Sequence, residues 1–201
     1  MPSWDEDCPE LRRSLSKVLD EIVLAAQRRE YLTVASAKRW QSQLMKNLTV
    51  PDARFVGAFR GEPGLEKIQV RVGVHYGAVA AEVAEELEGF ERMLHELLRG
   101  LDTMLPTGQE PDTDQLAAIL DLCAWVHAEW IRIHPFANGN GRTARLWANF
   151  IAMRYGLPPF IRLRPRPDYG YGEAGAKAMQ GDWKPTAIVF RRLLDAFLDE
   201  S

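Results

Sequence analysis

The sequence has 201 residues, 46% hydrophobic and 26% charged, with 25 Lys and Arg against 28 Asp and Glu for a formal net charge of -3. That suits one ordinary domain, or one with a small appendage, able to bury its own core without disulfides or a structural metal. The composition excludes a disordered chain, no apolar run nears the roughly 20 residues of a membrane span, and the mild negative charge argues against a nucleic-acid coat. The acidic start, Met1 to Asp7, has no apolar h-region, so no secretory leader is expected. Cys8 and Cys123 lie far apart and read as free thiols of a reducing compartment, which points to the cytoplasm.

In chain order, residues 9–48 read as two helices: Leu11, Leu15, Val18, Leu19 and Ile22 recur at helical spacing, and Val34, Ala37, Leu44 and Leu48 repeat the pattern. Pro51 and Asp52 then punctuate the chain. Ile68, Val70, Val72 and Val74 alternate with Lys67, Gln69, Arg71 and Gly73, the period of a strand with one buried face. Residues 54–60 are the expected partner strand, with Gly61-Glu-Pro-Gly64 as the turn, so 54–74 is expected to be a lone β-hairpin. A long helix is expected over 78–105. Asp112 with Gln115 has the form of a capping box opening the next, which carries Leu116, Ile119, Leu120, Cys123, Val126, His127 and Trp130 and ends before Pro135. A further helix is expected from Gly141 to Tyr155, stopped by Gly156 and Pro158, followed by shorter ones near 170–180 and 185–199.

The chemistry concentrates in His134-Pro-Phe-Ala-Asn-Gly-Asn-Gly-Arg-Thr-Ala-Arg145, between two strong helices. Gly139, Asn140 and Gly141 lead into a helix N-terminus, where backbone N–H groups and the helix dipole favour an anion. Arg142 and Arg145 share one face of the first turn, the wrong end for the dipole unless a phosphate joins them. His134 can reach the same place and is a candidate general base. Gly139 to Ala144 also satisfies G-x-G-x-x-[GA], but a helix precedes it instead of a strand, so a Rossmann reading is rejected. His127 reads as a hydrogen-bonded core histidine, and Arg162, Arg164 and Arg166 as an exposed, solvated run.

The twelve-residue string resembles the signature of the Fic family, HPFx[DE]GNGRxxR, and the resemblance extends over about 54–198. It implies an all-α helical bundle with a single β-hairpin flap, organised as an N-terminal helical segment (1–53) packed on a catalytic domain (54–201). It also implies protein adenylylation, with AMP moved from ATP to a Ser, Thr or Tyr hydroxyl of a target protein. By position, His134 deprotonates that hydroxyl and Phe136 anchors the loop. Gly139, Asn140 and Gly141 cradle the phosphates, Asn140 holding the α-phosphate, while Arg142 pairs with the distal phosphates and Arg145 assists. The flap, with Gly57, Phe59, Ile68 and Val70, docks the target by β-augmentation. The family's acidic Mg²⁺ ligand is Asn138 here, a neutral replacement from which weaker metal binding is expected. Slow adenylylation, another nucleotide donor, and a nucleotide-binding regulator with little turnover all stay open on that substitution. The family's inhibitory helix, [ST]xxxE[GN], finds no match, since Glu88-Gly89 has Ala84 at the Ser/Thr position. That leaves inhibition to a separate small antitoxin chain, or none. The family suggests a bacterial growth-arresting toxin, with no nucleic-acid or membrane partner.

Overall fold

The computed structural model describes residues 1, 3, 4 and 6–200; Pro2 and Asp5 of the acidic start, and Ser201, lie outside the described residues. The described chain forms helices α1 (Pro9–Gln27), α2 (Val34–Met45), α3 (Val83–Met104), α4 (Thr113–Ile133), α5 (Asn140–Arg154), α6 (Tyr171–Ala178) and α7 (Lys184–Asp199). Between α2 and α3 sits one antiparallel pair, β1 (Arg71–Val72) and β2 (His75–Tyr76). The expected all-α bundle with one hairpin is therefore what the chain forms.

The helix ends follow local chemistry. Pro9 opens α1, and the Cys8 thiol accepts from the N–H of Leu11 at 3.4 Å. The capping box of α4 is present: the N–H of Gln115 donates to Asp112 Oδ1, and that of Asp112 to Gln115 Oε1, each at 2.9 Å. Gly156, at φ +83°, follows α5 where a left-handed residue ends the helix.

α4 packs most extensively on α5, which also meets α1 and α2, while α7 lies along α4. The centre is aromatic. Trp130 of α4 lies 5.9 Å from Trp147 of α5, and Phe90 of α3 contacts both at 5.3 and 5.8 Å. Trp40 of α2 meets Trp147 edge-on at 4.9 Å. One hydrophobic cluster runs from Cys8 to Leu194, so the first two helices belong to the same core as the rest. Among the described residues, no helix is long and apolar enough to cross a membrane.

The hairpin differs from the expected one in place and size. Residues 54–60 are not a strand: Ala53–Phe55 is a short 3-10 turn, and the chain then runs irregularly over the core with Phe59 buried. Gly61 to Leu65 does not join two strands but closes on itself, the N–H of Gly61 donating to the carbonyl of Leu65 at 3.1 Å around that buried side chain. Only Arg71–Val72 and His75–Tyr76 pair, turning at Gly73 (φ +60°). The period-two pattern marked no buried face there, because Val72 and Val74 are 41% and 82% exposed.

Candidate active site

The site is the loop between α4 and α5. α4 ends at Ile133, and His134 takes a left-handed conformation (φ +53°, ψ +55°) uncommon for a non-glycine residue. Arg60 holds it there. This buried side chain donates from Nε to the carbonyl of His134 at 2.8 Å, from Nη2 to that of Ile133 at 2.9 Å and from Nη1 to that of Ile68 at 3.3 Å. Its backbone N–H donates to Pro135 at 2.7 Å. A guanidinium thus sits on the negative end of α4, satisfying carbonyls the helix cannot. Desolvation pushes its pKa down to about 10, so it stays charged at neutral pH.

The rest of the loop is closed from inside. The side chain of Asn140 accepts from the N–H of Phe136 at 2.9 Å and donates to its carbonyl at 2.8 Å. Phe136 is fully buried, 4.8 Å from Phe59. Gln41 of α2, also fully buried, donates to the carbonyls of Asn138 (3.2 Å) and Phe55 (3.0 Å) and accepts from the N–H of Gly57 (2.6 Å). Gly139, at φ +95°, turns the chain into α5.

His134 places Nδ1 3.0 Å from the carbonyl of Ile131. A carbonyl only accepts, so Nδ1 carries the proton and Nε2 of the neutral ring keeps a lone pair. Burial, opposed by that hydrogen bond and seconded by the charge of Arg60, pushes its pKa down to about 4. Gly77 is needed beside it, because a Cβ there would stand 2.6 Å from that of His134.

His134, Asn138 to Arg142, Arg145 and Tyr171 line an open cavity of about 500 Å³, with residues 69–72 of the hairpin on its rim. Arg142 is buried and donates to Asn138 Oδ1 at 2.6 Å. Arg145 is 2% exposed and donates to Tyr171 Oη and to the carbonyl of Leu163, both at 3.0 Å, while its Nε has no partner among the described residues. Tyr171 Oη also shares a 2.6 Å hydrogen bond with His127 Nε2. Burial, seconded by Arg145, pushes the His127 pKa down to about 3, so it is a neutral core histidine with a hydrogen-bond partner.

The loop therefore brings together His134, Gly139, Asn140, Gly141, Arg142, Arg145 and Asn138, with Phe136 beneath. Val70 lines the same cavity, whereas Ile68 supports Arg60 through its carbonyl. Phe59 is a core residue and Gly57 is tied to Gln41. Neither lies in the paired strands, so the hairpin edge expected at these two positions is not formed there; residues 69–72 line the cavity instead. The expected exposed run holds at Arg162, which pairs with Asp168, and at Arg166, whereas Arg164 is half-buried; Arg164 and Arg166 also line the cavity. Arg60, Gln41 and Gly77 were missed. Only the oddity of an arginine in an apolar stretch, Val56-Gly-Ala-Phe-Arg60, marked one of them.

Residues 31–152 match the family model described as Fic/DOC family. The chain belongs to the Fic/DOC family. The Fic match begins before α2, consistent with Gln41 of that helix holding the loop. Several relatives are named protein adenylyltransferase Fic. That of Nematostella vectensis is 43% identical over 84 residues, 39% of this chain and 19% of that protein. That of Drosophila melanogaster is 34% identical over 93 residues, 46% of this chain and 16% of that protein. The matches thus span under a fifth of these relatives' length. Among solved structures, a Fic domain containing signaling protein from Bacteroides thetaiotaomicron superposes with a TM-score of 0.61 at 19% identity, over 95% of this chain and 73% of that one. BepC of Bartonella tribocorum, with bound AMPPNP, gives 0.60 at 16% identity, over 93% and 87%. At these identities the likeness is one of fold.

The Mg²⁺ expected from the Fic resemblance does not fit the donors present. The side-chain oxygen of Asn138 is neutral and already accepts from Arg142. No aspartate or glutamate is among the described residues lining the cavity, and no group of three His, Cys, Asp or Glu side chains among the described residues could hold a metal.

Proposed function

We propose that this Fic protein is an adenylyltransferase that moves AMP from ATP to a Ser, Thr or Tyr hydroxyl of a target protein. The observation that carries the reading is the state of His134: its Nδ1–H is held by Ile131, which leaves Nε2 as a base in the cavity that Arg142 and Arg145 line at the start of α5. In the proposed reaction the target hydroxyl oxygen attacks the α-phosphorus and its proton passes to Nε2. The bond from the α-phosphorus to the oxygen bridging to the β-phosphorus breaks, and pyrophosphate leaves with the electron pair. Bound phosphates raise the basicity of the buried imidazole, since a nearby anion favours its protonated form.

Each remaining part has a stated task. The backbone N–H groups at the start of α5 and the two guanidiniums stabilise charge on the phosphates. Asn140 acts through the loop it closes, because both ends of its amide are taken by Phe136. Residues 69–72, where Val70 and Val72 line the cavity rim, align an extended target segment along the edge of β1 that β2 leaves open. Family membership and the relatives named adenylyltransferase support the transferase class.

The contact of Asn138 with Arg142 favours one second reading, a nucleotide-binding regulator with little turnover. Incubating the protein with target lysate and ATP labelled at the α- or γ-phosphate separates the two, and labelled UTP, GTP and CTP test the donor. Label from the α-position of ATP on protein supports adenylylation. Label from the γ-position, or nucleotide binding without transfer from any donor, overturns it.

A further inference from the structure

The cavity that holds His134 has an unusual charge balance. Arg142 and Arg145 rise from the first turns of α5, Arg71 comes from β1, and Arg164 and Arg166 from the segment leading to α6. No carboxylate is among the described residues that line the cavity, although Asp7 lies near enough to Arg164 from outside it to feel its charge. Where a triphosphate is bound with a divalent cation, a protein carboxylate normally fixes the cation, which in turn neutralises part of the phosphate charge. Here the corresponding side chain is an amide, and its oxygen aims a guanidinium instead: Asn138 Oδ1 accepts from Arg142 Nη2 at 2.6 Å. Arg145, 2% exposed, keeps a buried Nε without a partner among the described residues. A buried cation left short of one acceptor at a helix N-terminus is suited to an anion.

We infer that this site takes the polyphosphate chain of a nucleoside triphosphate without a divalent cation, with guanidiniums from α5 and from the 164–166 segment supplying the counter-charge. The inference rests on the nucleotide reading above and refines it. The metal-free triphosphate carries more negative charge than its Mg²⁺ complex and offers every phosphate oxygen to the arginines. A cation brought in with the nucleotide is repelled by Arg71, Arg142, Arg145, Arg164 and Arg166 and meets no carboxylate among the described residues that line the cavity. Arg164 and Arg166 are therefore ligand-binding groups, and the Asn138–Arg142 contact is a positioning device in place of a metal ligand.

The test is calorimetric titration of the whole chain with ATP, once in EDTA and once with excess Mg²⁺, with inorganic pyrophosphate as a second probe. Affinity for ATP in EDTA is expected to equal or exceed that with Mg²⁺. Arg164→Gln is expected to weaken binding in EDTA about tenfold, the scale of one charge-assisted contact. Asn138→Asp is expected to reverse the order, so that Mg²⁺ tightens binding. An affinity that falls tenfold or more when Mg²⁺ is removed from the unaltered protein overturns the cation-free site while leaving adenylyl transfer standing. Arg164→Gln binding as tightly as the unaltered protein, while circular dichroism shows both folded, overturns the role of the 164–166 segment. No binding of ATP or pyrophosphate under either condition overturns the nucleotide reading and this inference together.

Discussion

Arg60 donates from Nε to the backbone carbonyl of His134 at 2.8 Å, although the two residues are 74 positions apart. The same guanidinium reaches Ile133 and Ile68, so one side chain joins the end of α4, the left-handed turn and the base of the hairpin. Arg60→Met keeps the apolar bulk but strands these buried carbonyls. Urea unfolding should show a loss of about 3 kcal/mol, and transfer activity should fall further than stability because His134 loses its anchor. Arg60→Lys should not restore it, since the single nitrogen of an ammonium lacks the planar spread by which Nε, Nη1 and Nη2 each meet a different carbonyl.

Gln41→Leu tests the second brace. It removes two donations to carbonyls and one acceptance from Gly57 in a fully buried place. A cost of about 2 kcal/mol in denaturant unfolding is expected, with weaker nucleotide binding from a looser Asn138 to Gly139 turn. An unchanged binding constant would show that the loop holds its shape without α2.

Gly77→Ala places a methyl 2.6 Å from the His134 Cβ and 3.1 Å from Arg60 Nη2. The imidazole must shift, so the rate of label transfer should drop about a hundredfold, as a displacement near 1 Å can cause. Gly100→Ala, in α3 away from the cavity and meeting nothing within 4 Å, is the control and should leave transfer unchanged and stability equal or slightly higher.

The two buried histidines give a pH dependence of stability with a definite sign. Burial lowers the pKa of His134 to about 4 and of His127 to about 3, from 6.5. The unfolded chain therefore binds protons first as pH falls below 6.5, and stability present above that value is lost down to about pH 3–4. Thermal melts from pH 7.5 to 5 should show a falling midpoint. His127→Gln should flatten that slope while lowering the midpoint at pH 7.5, because Tyr171 loses its short hydrogen bond.

Much of this was legible in the sequence, and the reason differs by element. The helices announced themselves because apolar spacing, the Asp112–Gln115 box and Gly156 are local signals. The motif residues were legible because His134, Gly139 and Arg142 sit within one short string. The hairpin was misplaced because alternation at Ile68, Val70, Val72 and Val74 looks the same whether or not a face is buried, and half of it is exposed. Arg60 and Gln41 were invisible because the partners that tie them to the motif loop, Ile133, His134 and Asn138, lie 73 to 97 positions away and are backbone carbonyls, which carry no side-chain signal. Arg164 reads as solvated because nothing local shows that it is half-buried where its segment, with the exposed Arg166, lines the cavity.

In the proposed reaction His134 Nε2 takes the proton of a target hydroxyl as AMP is transferred. The direct measurement is intact mass of a modified target after incubation with ATP and either the unaltered protein or His134→Ala, with nucleotide affinity measured in parallel. An added mass of one AMP is expected with the unaltered protein. No such addition is expected with His134→Ala, although that variant should still bind ATP through Arg142 and Arg145. AMP addition by His134→Ala at the unaltered rate would contradict the proposed reaction.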